Sequence, residues 1–324
     1  MSPRSMLSAV LLALGLLAFD APRAEAQDTF PSKPLRMVVP LPPGGPSDIL
    51  ARATAQAMSA SLGQPVVVEN RPGADGLIAA RAVAAAPADG HVLLYAVGSM
   101  IATPLMSSPP SFDWLGELAP VGRIGRVAFC VMVHPDVPAT SMRELAAWTK
   151  ANPGRLAFAS STNSELMGAA QFMRAAGVEM TRVPYKGGAQ AMPDLVAGRV
   201  QLNVGPVSLA QPQAKDGRLR VLATLLPQRS PLLPEVPTIA EAGYPQIDVP
   251  TWQALFAPAR TPPEVVAKLA AALEAALRDA ALRADLERRA VFVEPSTPAQ
   301  LRATIVAEQA EWARLIAAFG LAAP

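Results

Sequence analysis

The 324 residues contain one cysteine, Cys130. An intramolecular disulfide and a cysteine-based metal cluster are therefore excluded. Its place in the apolar run VAFCVMV points to a buried, inert thiol. Histidine is almost as scarce. His91 follows Asp89-Gly90 in a turn entering a strand, and His134 precedes Pro135 at a strand end. Neither has the spacing of a metal ligand, and neither is placed to serve a nucleophile. Aromatics make up 5% of the chain and charged residues 17%. With 28 basic and 26 acidic residues the net charge is +2. No Lys/Arg run or basic stripe interleaved with aromatics is present, which argues against nucleic acid.

Several catalytic signatures are missing as well. There is no Gly-x-Ser-x-Gly elbow, no Gly-Lys-Ser/Thr of a phosphate loop and no three-glycine dinucleotide fingerprint. Glu69, Asp48, Asp75 and Asp194 are scattered, with no spacing that sets two carboxylates on one face. No metal, no cofactor and no enzymatic activity are expected. A periplasmic serine hydrolase using Ser99 or Ser160 stays open as the reading from another class.

What is present is a foldable globular composition, 51% hydrophobic, with 34 prolines placed mostly at segment edges. The first 26 residues read as a secretory signal peptide. Arg4 begins it, Met6 to Phe19 form a short apolar stretch, and Ala24-Glu25-Ala26 offers a small-x-small cleavage site before Gln27. No cysteine follows to take a lipid anchor. No other apolar segment approaches about 18 residues without charge or proline. The mature chain is expected in the periplasm.

The stretch LRMVVPLPPGGPSDIL, Leu35 to Leu50, reads as a buried strand, a proline–glycine turn and a helix start. Gly44 and Gly45 let the turn take positive φ and let a ligand approach the backbone. Ser47 or Asp48 can cap the helix. Free N–H groups at a helix start attract an oxyanion, so the loop suits a carboxylate or phosphate. The same pattern also serves as a ligand-free strand–helix turn.

Downstream, apolar strands alternate with helices: strand Val66–Val68, helix 75–86, strand Val92–Tyr95. The pattern predicts a parallel sheet with right-handed crossovers. A Pro-Ser-rich loop spans Thr103 to Leu118. A second α/β unit follows, beginning with strand-like runs at Val121–Ile124 and Val127–Val133. It continues with a helix capped by Ser141 and strands near Leu156, Thr181, Val200 and Leu219. A proline-rich connection over Pro227–Pro237, a strand at Trp252–Ala257 and two amphipathic helices, 262–280 and 298–319, complete the chain. The expected fold is α/β and two-lobed, each lobe a sheet flanked by helices with a ligand cleft between them. Lobe 1 would be discontinuous, 27–103 and 226–324, and lobe 2 would be 104–225. Sites in open α/β sheets lie at the carboxyl ends of strands. Loops 40–48, 97–100, 159–164 and 184–188 are thus the candidate cleft walls. They carry Gly98-Ser99, Ser160-Ser161 and Tyr185-Lys186-Gly187-Gly188, hydroxyls and glycines suited to holding a small anion by neutral donors.

Motifs along the mature chain resemble the substrate-binding proteins of tripartite tricarboxylate transporters, the Bug family of periplasmic receptors. They are FPSKPLRMVVPLPPGGPSD, LGQPVVVENRPGADG, PADGHVLL, VPYKGGAQAMPDLVAGRVQL, RLRVLAT and RSPLLPEVPTIAEAGYP. The resemblance implies a periplasmic-binding-protein fold of type II character that closes on a small carboxylate: a di- or tricarboxylate, an amino acid or an aromatic acid. It implies membrane permease subunits as partners, or a sensor kinase in the alternative signalling role, and a monomer. By position it assigns ligand contacts to Pro43, Gly44, Gly45 and Asp48, to Ser99, and to Ser160 and Ser161. Lys186 and Gly187 match its Tyr-Lys-Gly motif, where a structural turn is the competing reading. The chain departs from the family at two places near the expected ligand mouth. The loop Thr162-Asn163-Ser164-Glu165 is shorter and lacks a histidine, and Asn203 stands where an aspartate is common.

Overall fold

The computed structural model describes residues 30–320 apart from residue 108; the expected signal peptide lies outside the described residues. Among the described residues two sheets form. The first has the order β11 (Val291–Val293), β4 (Leu118–Val127), β10 (Trp252–Pro258), β3 (Val92–Val97), β1 (Leu35–Val39), β2 (Val66–Asn70), and the second β7 (Thr181–Pro184), β6 (Ala157–Ser160), β8 (Leu202–Pro206), β5 (Phe129–Val133), β9 (Arg220–Thr224).

The first sheet begins as its sequence predicts. β1 (Leu35–Val39), β2 (Val66–Asn70) and β3 (Val92–Val97) run parallel. They are joined by α1 (Pro46–Leu62) and by a 3₁₀ turn, Ala74–Gly76, leading into α2 (Leu77–Ala84). Gly63 ends α1 at φ +66, the left-handed cap its position requires. The rest of this sheet is antiparallel. β10 (Trp252–Pro258) pairs with β3, β4 (Leu118–Val127) with β10, and β11 (Val291–Val293) with β4. The sheet is therefore mixed rather than wholly parallel. Continuous apolar strands signal burial on both faces but carry no information on direction.

Two further expectations are corrected. The loop expected over Thr103–Leu118 contains two single-turn helices, α3 (Ala102–Leu105) and α4 (Trp114–Glu117). Asp113 caps the second by accepting from the amides of Leu115 and Gly116. The helix expected over 262–280 ends earlier, as α9 (Pro263–Arg278): Asp279 adopts extended backbone and caps a further helix, α10 (Ala280–Arg288), which leads to β11.

The second sheet holds β5 (Phe129–Val133), β6 (Ala157–Ser160), β7 (Thr181–Pro184), β8 (Leu202–Pro206) and β9 (Arg220–Thr224). Helices α5 (Met142–Ala151), α6 (Asn163–Ala176), α7 (Gly188–Val196) and α8 (Val207–Lys215) connect them. Ser141 caps α5 by accepting from the Glu144 amide, the capping-box spacing at work. α11 (Pro298–Phe319) returns over the first sheet, with Leu301, Ile305 and Trp312 buried in its core.

Sheet membership moves the expected boundaries between lobes. β4 belongs to the first sheet, so the outward crossing falls at Ala128 rather than near residue 103. Ile239 and Ile247 pack in the core of the second sheet, so the return crossing falls near Pro250 rather than residue 226. The reason is burial. The apolar positions of β4 (Leu118, Val121 and Ile124) are needed to fill the first core beneath α9 and α11. At the crossings Val127 N–H donates to Thr251 O at 3.0 Å, and Ala128 N–H donates to Ala290 O at 2.8 Å.

Candidate functional site

A cleft opens between the sheets at the carboxyl ends of β1, β3, β6, β7 and β8. Its lining includes Pro43, Gly45 and Ser47 from the first loop, Gly98 and Ser99 after β3, and Ser161, Thr162, Ser164 and Glu165 after β6. Gly187, Gly188 and Gln190 after β7 add a further wall, and Phe129, Thr251 and Gln253 line the floor near the crossings. The volume in which a water-sized sphere can be centred is ≈ 100 Å³. One water needs about 10–15 Å³ on that measure, so a ligand of several heavy atoms fits.

The first loop is held from behind. Gly44 stands at φ +80, which a side chain would strain. Its N–H donates to Asp48 Oδ2 at 2.9 Å. Arg52 Nε donates to the same oxygen at 3.0 Å, and Asn70 Nδ2 reaches Oδ1 at 2.9 Å while also donating to Leu41 O at 3.0 Å. Burial raises the Asp48 pKa, but Arg52, the Gly44 amide and Asn70 outweigh it and hold the carboxyl below its ordinary value. Asp48 thus spends its lone pairs on the turn, and Gly44 spends its amide on Asp48. These two shape the cradle and do not line it. Among the described residues the amides of Gly45 and Ser47 have no protein acceptor.

Two more helix starts meet the cleft. Gly187 caps α7 in extended backbone, and the Gly188 and Ala189 amides have no acceptor among the described residues. Thr162 caps α6, its hydroxyl accepting from the Glu165 amide at 3.3 Å. α6 also ties the two sheets together. Asn163 Nδ2 donates to Thr103 Oγ1 at 3.0 Å and Ser164 Oγ to Pro250 O at 2.6 Å.

The expected residues sort as follows. Pro43, Gly45, Ser99, Ser161 and Gly187 line the cleft. Ser160 sits behind it, its hydroxyl accepting from Arg182 Nε at 2.8 Å. Asn203, 5% exposed on β8, donates from Nδ2 to Ala159 O at 2.9 Å. Lys186 is adjacent to the wall but not part of it. Sequence reasoning passed over Glu165, Gln190 and Gln253. Glu165 is buried; its Oε2 accepts from the Ser161 N–H at 2.5 Å, and both oxygens lie 2.9 Å from the Ser161 hydroxyl. Burial pushes the Glu165 carboxyl up to about 7 against the opposing pull of Ser161, Asn203 and Thr162. Gln253, 5% exposed, leaves its side-chain oxygen without a partner. Among the described residues no lysine, arginine or histidine lines the cleft.

Two mixed α/β sheets joined by paired crossings around a cleft of helix starts define a periplasmic-binding-protein fold. The comparisons narrow the class. The family model described as the tripartite tricarboxylate transporter family receptor matches residues 50–321. BugT of Bordetella pertussis is 35% identical over 294 residues, spanning 89% of this chain and 90% of that protein. The chain belongs to this family of solute-binding receptors. The periplasmic binding protein BugD superposes with a TM-score of 0.84 at 30% identity, over 90% of this chain and 99% of its own. A protein of R. palustris solved with adipate gives 0.85 at 32% identity, over 90% and 98% of the two chains. MatC from Rhodopseudomonas palustris, solved with bound malate, gives 0.82 at 29%, over 89% and 100%.

Proposed function

We propose that this protein is an exported receptor that captures a small dicarboxylate-like acid between its lobes and presents it to the permease of a tripartite transporter. One observation carries the reading. The cleft gathers the starts of α1, α6 and α7 with hydroxyls and side-chain amides, and among the described residues its one ionisable side chain is Glu165, with no cationic one. Uncharged N–H and O–H donors aimed at one point hold an oxyanion by hydrogen bonding and helix dipoles. They do so with little titratable chemistry. The family and the neighbours solved with adipate and malate support an acid as the ligand.

In this reading the Gly45 and Ser47 amides hold one carboxylate on the first lobe, with Pro43 fixing the turn. Ser99 adds a donor from the same lobe. Ser161 and the Gly188 and Ala189 amides complete the coordination from the second, and Gln253 meets the ligand at the floor. Pairing nearly every oxygen offsets desolvation of the anion. Lobe closure then follows from the ligand's preference for the closed state, and that shape is what a membrane partner reads. The receptor acts as a monomer and catalyses nothing.

Two observations disfavour a serine hydrolase. Neither histidine lines the cleft. Ser160 is hydrogen-bonded to an arginine, and Ser161 to a glutamate. The test is thermal shift and calorimetry against adipate, malate and succinate, run beside an ester-hydrolysis assay. Binding without turnover is expected. Turnover abolished by Ser161→Ala would overturn the proposal. A sensor role would show as ligand-dependent pull-down of a kinase ectodomain in place of a permease.

A further inference from the structure

The expected anion contact on the second lobe, Ser161, is already committed. A hydroxyl has one proton. Ser161 Oγ lies 2.9 Å from both oxygens of Glu165, and the Ser161 amide donates to Oε2. While Glu165 is a carboxylate, the serine proton points at it and the cleft receives only lone pairs. A ligand carboxylate would then meet an acceptor, with a buried negative charge directly behind it. If Glu165 gains a proton the pattern inverts. Oε2 still accepts the Ser161 amide, so the new proton belongs on Oε1. That O–H donates to Ser161 Oγ, and the serine proton turns to the cleft.

Building on the reading above, we infer that Glu165 sets the donor direction of Ser161, so that capture of a ligand carboxylate takes up one proton at Glu165. The only bond made is the O–H at Glu165, and the only one broken is that of the solvent or buffer acid that supplies the proton. One proton leaves solvent and rests on Glu165 Oε1 when the acid docks. Glu165 therefore selects for anions at this subsite only as a neutral acid, and it accounts for a carboxyl group in the wall of an anion site.

The surroundings isolate this effect. From β6 and α6 the carboxyl meets Ser161 and Thr162, from β8 Asn203, and Gly188 of α7 lies alongside. None of these side chains titrates. Arg182 on β7 is bound to the neighbouring Ser160, and Asp75 shares a smaller pocket with Ser161 and Thr162; burial raises the Asp75 carboxyl and Arg182 opposes it. Burial keeps Glu165 within reach of neutral pH, at about 7.

The experiment is isothermal titration of the full mature protein with adipate, malate and succinate between pH 6.5 and 8.5, in buffers of differing ionisation enthalpy. The expected result is uptake approaching one proton per ligand at pH 8, with affinity falling about tenfold per pH unit above 7. Glu165→Gln retains an oxygen for the Ser161 amide and an N–H₂ for its hydroxyl, the neutral pattern made permanent. It should bind with no proton uptake and tighter than wild type at pH 8.5. Asp75→Asn should keep the pH dependence. Wild-type binding that is flat in pH and takes up no proton overturns the inference and leaves the receptor reading standing. Transfer of the pH dependence to Asp75 also overturns it. Failure of every acid to bind removes both.

Discussion

Glu308 allows a test of the structure that needs no ligand. It sits on α11 and accepts from Trp252 Nε1 at 2.7 Å, between the return strand β10 and the helix that covers it. Burial raises its carboxyl to about 7, against the pull of Trp252, Arg126 and Arg123. In the unfolded chain the same group titrates at its ordinary 4.5. Between pH 4.5 and 7 the native state holds a proton that the unfolded state has lost, so stability falls as pH rises through that window. Above 7 both states are ionised and the full cost remains. A rise of this size, at about 1.4 kcal/mol per pH unit, amounts to about 3 kcal/mol. Glu308→Gln keeps an acceptor for Trp252 and never ionises. Relative to wild type it should gain about 1 kcal/mol at pH 5 and about 3 kcal/mol at pH 8. Urea unfolding followed by tryptophan fluorescence at both pH values measures the difference. A stability change that is equal at pH 5 and pH 8, or a loss at pH 8, would refute the placement of Glu308 as a buried acid.

Other perturbations follow from the same contacts. Asp48→Ala strands the Gly44 amide, Arg52 and Asn70 together; it should cost about 2–3 kcal/mol in urea melts and weaken adipate or malate binding at least tenfold by calorimetry. Gly125→Ala would place a methyl group against the Phe292 carbonyl of β11, so the β4–β11 pairing must yield, lowering stability by about 1–3 kcal/mol in the same assay. Thr162→Ala removes the α6 cap at a cost of about 1 kcal/mol. On the acid side, Asp48, Glu69 and Asp285 are held below their ordinary values in the native state. Their stabilisation is complete above about pH 5 and is lost as pH falls through their native pKa values. Thermal melts should therefore peak near pH 5 and decline on both sides.

Much of this architecture was legible because its signals are local. The β1 run, the α1 cap glycine and the Ser141 cap need only local side chains, and each appears where the pattern places it, although Glu144 turns its carboxylate to Thr140 rather than closing a capping box. Strand direction was not legible. β10 is as apolar as β1, yet it runs antiparallel to both of its neighbours, β3 and β4. α10 was hidden for a similar reason: the amphipathic pattern runs on through Asp279, and only the extended backbone there separates two helices.

The site divides along the same line. Gly44, Gly45 and Ser99 stood out because glycine and small hydroxyls after a strand are punctuation with a chemical meaning. What each group is free to do depends on its partners, and those are brought from a distance. Asp48 reads as a helix cap but is occupied by Asn70 from β2, 22 residues on. Ser160 and Ser161 are neighbours in sequence and opposites in the structure, one turned to Arg182 and the other to Glu165. In the sequence Glu165 is one acidic residue in a helix's first turn, where a solvated carboxylate would serve equally well. Folding sinks it to 2% exposure and places Asn203 of β8 and Gly188 of α7 against it. Only then does an ordinary helix-start acid become a buried carboxyl directly behind the Ser161 hydroxyl, the arrangement on which the inferred proton uptake rests.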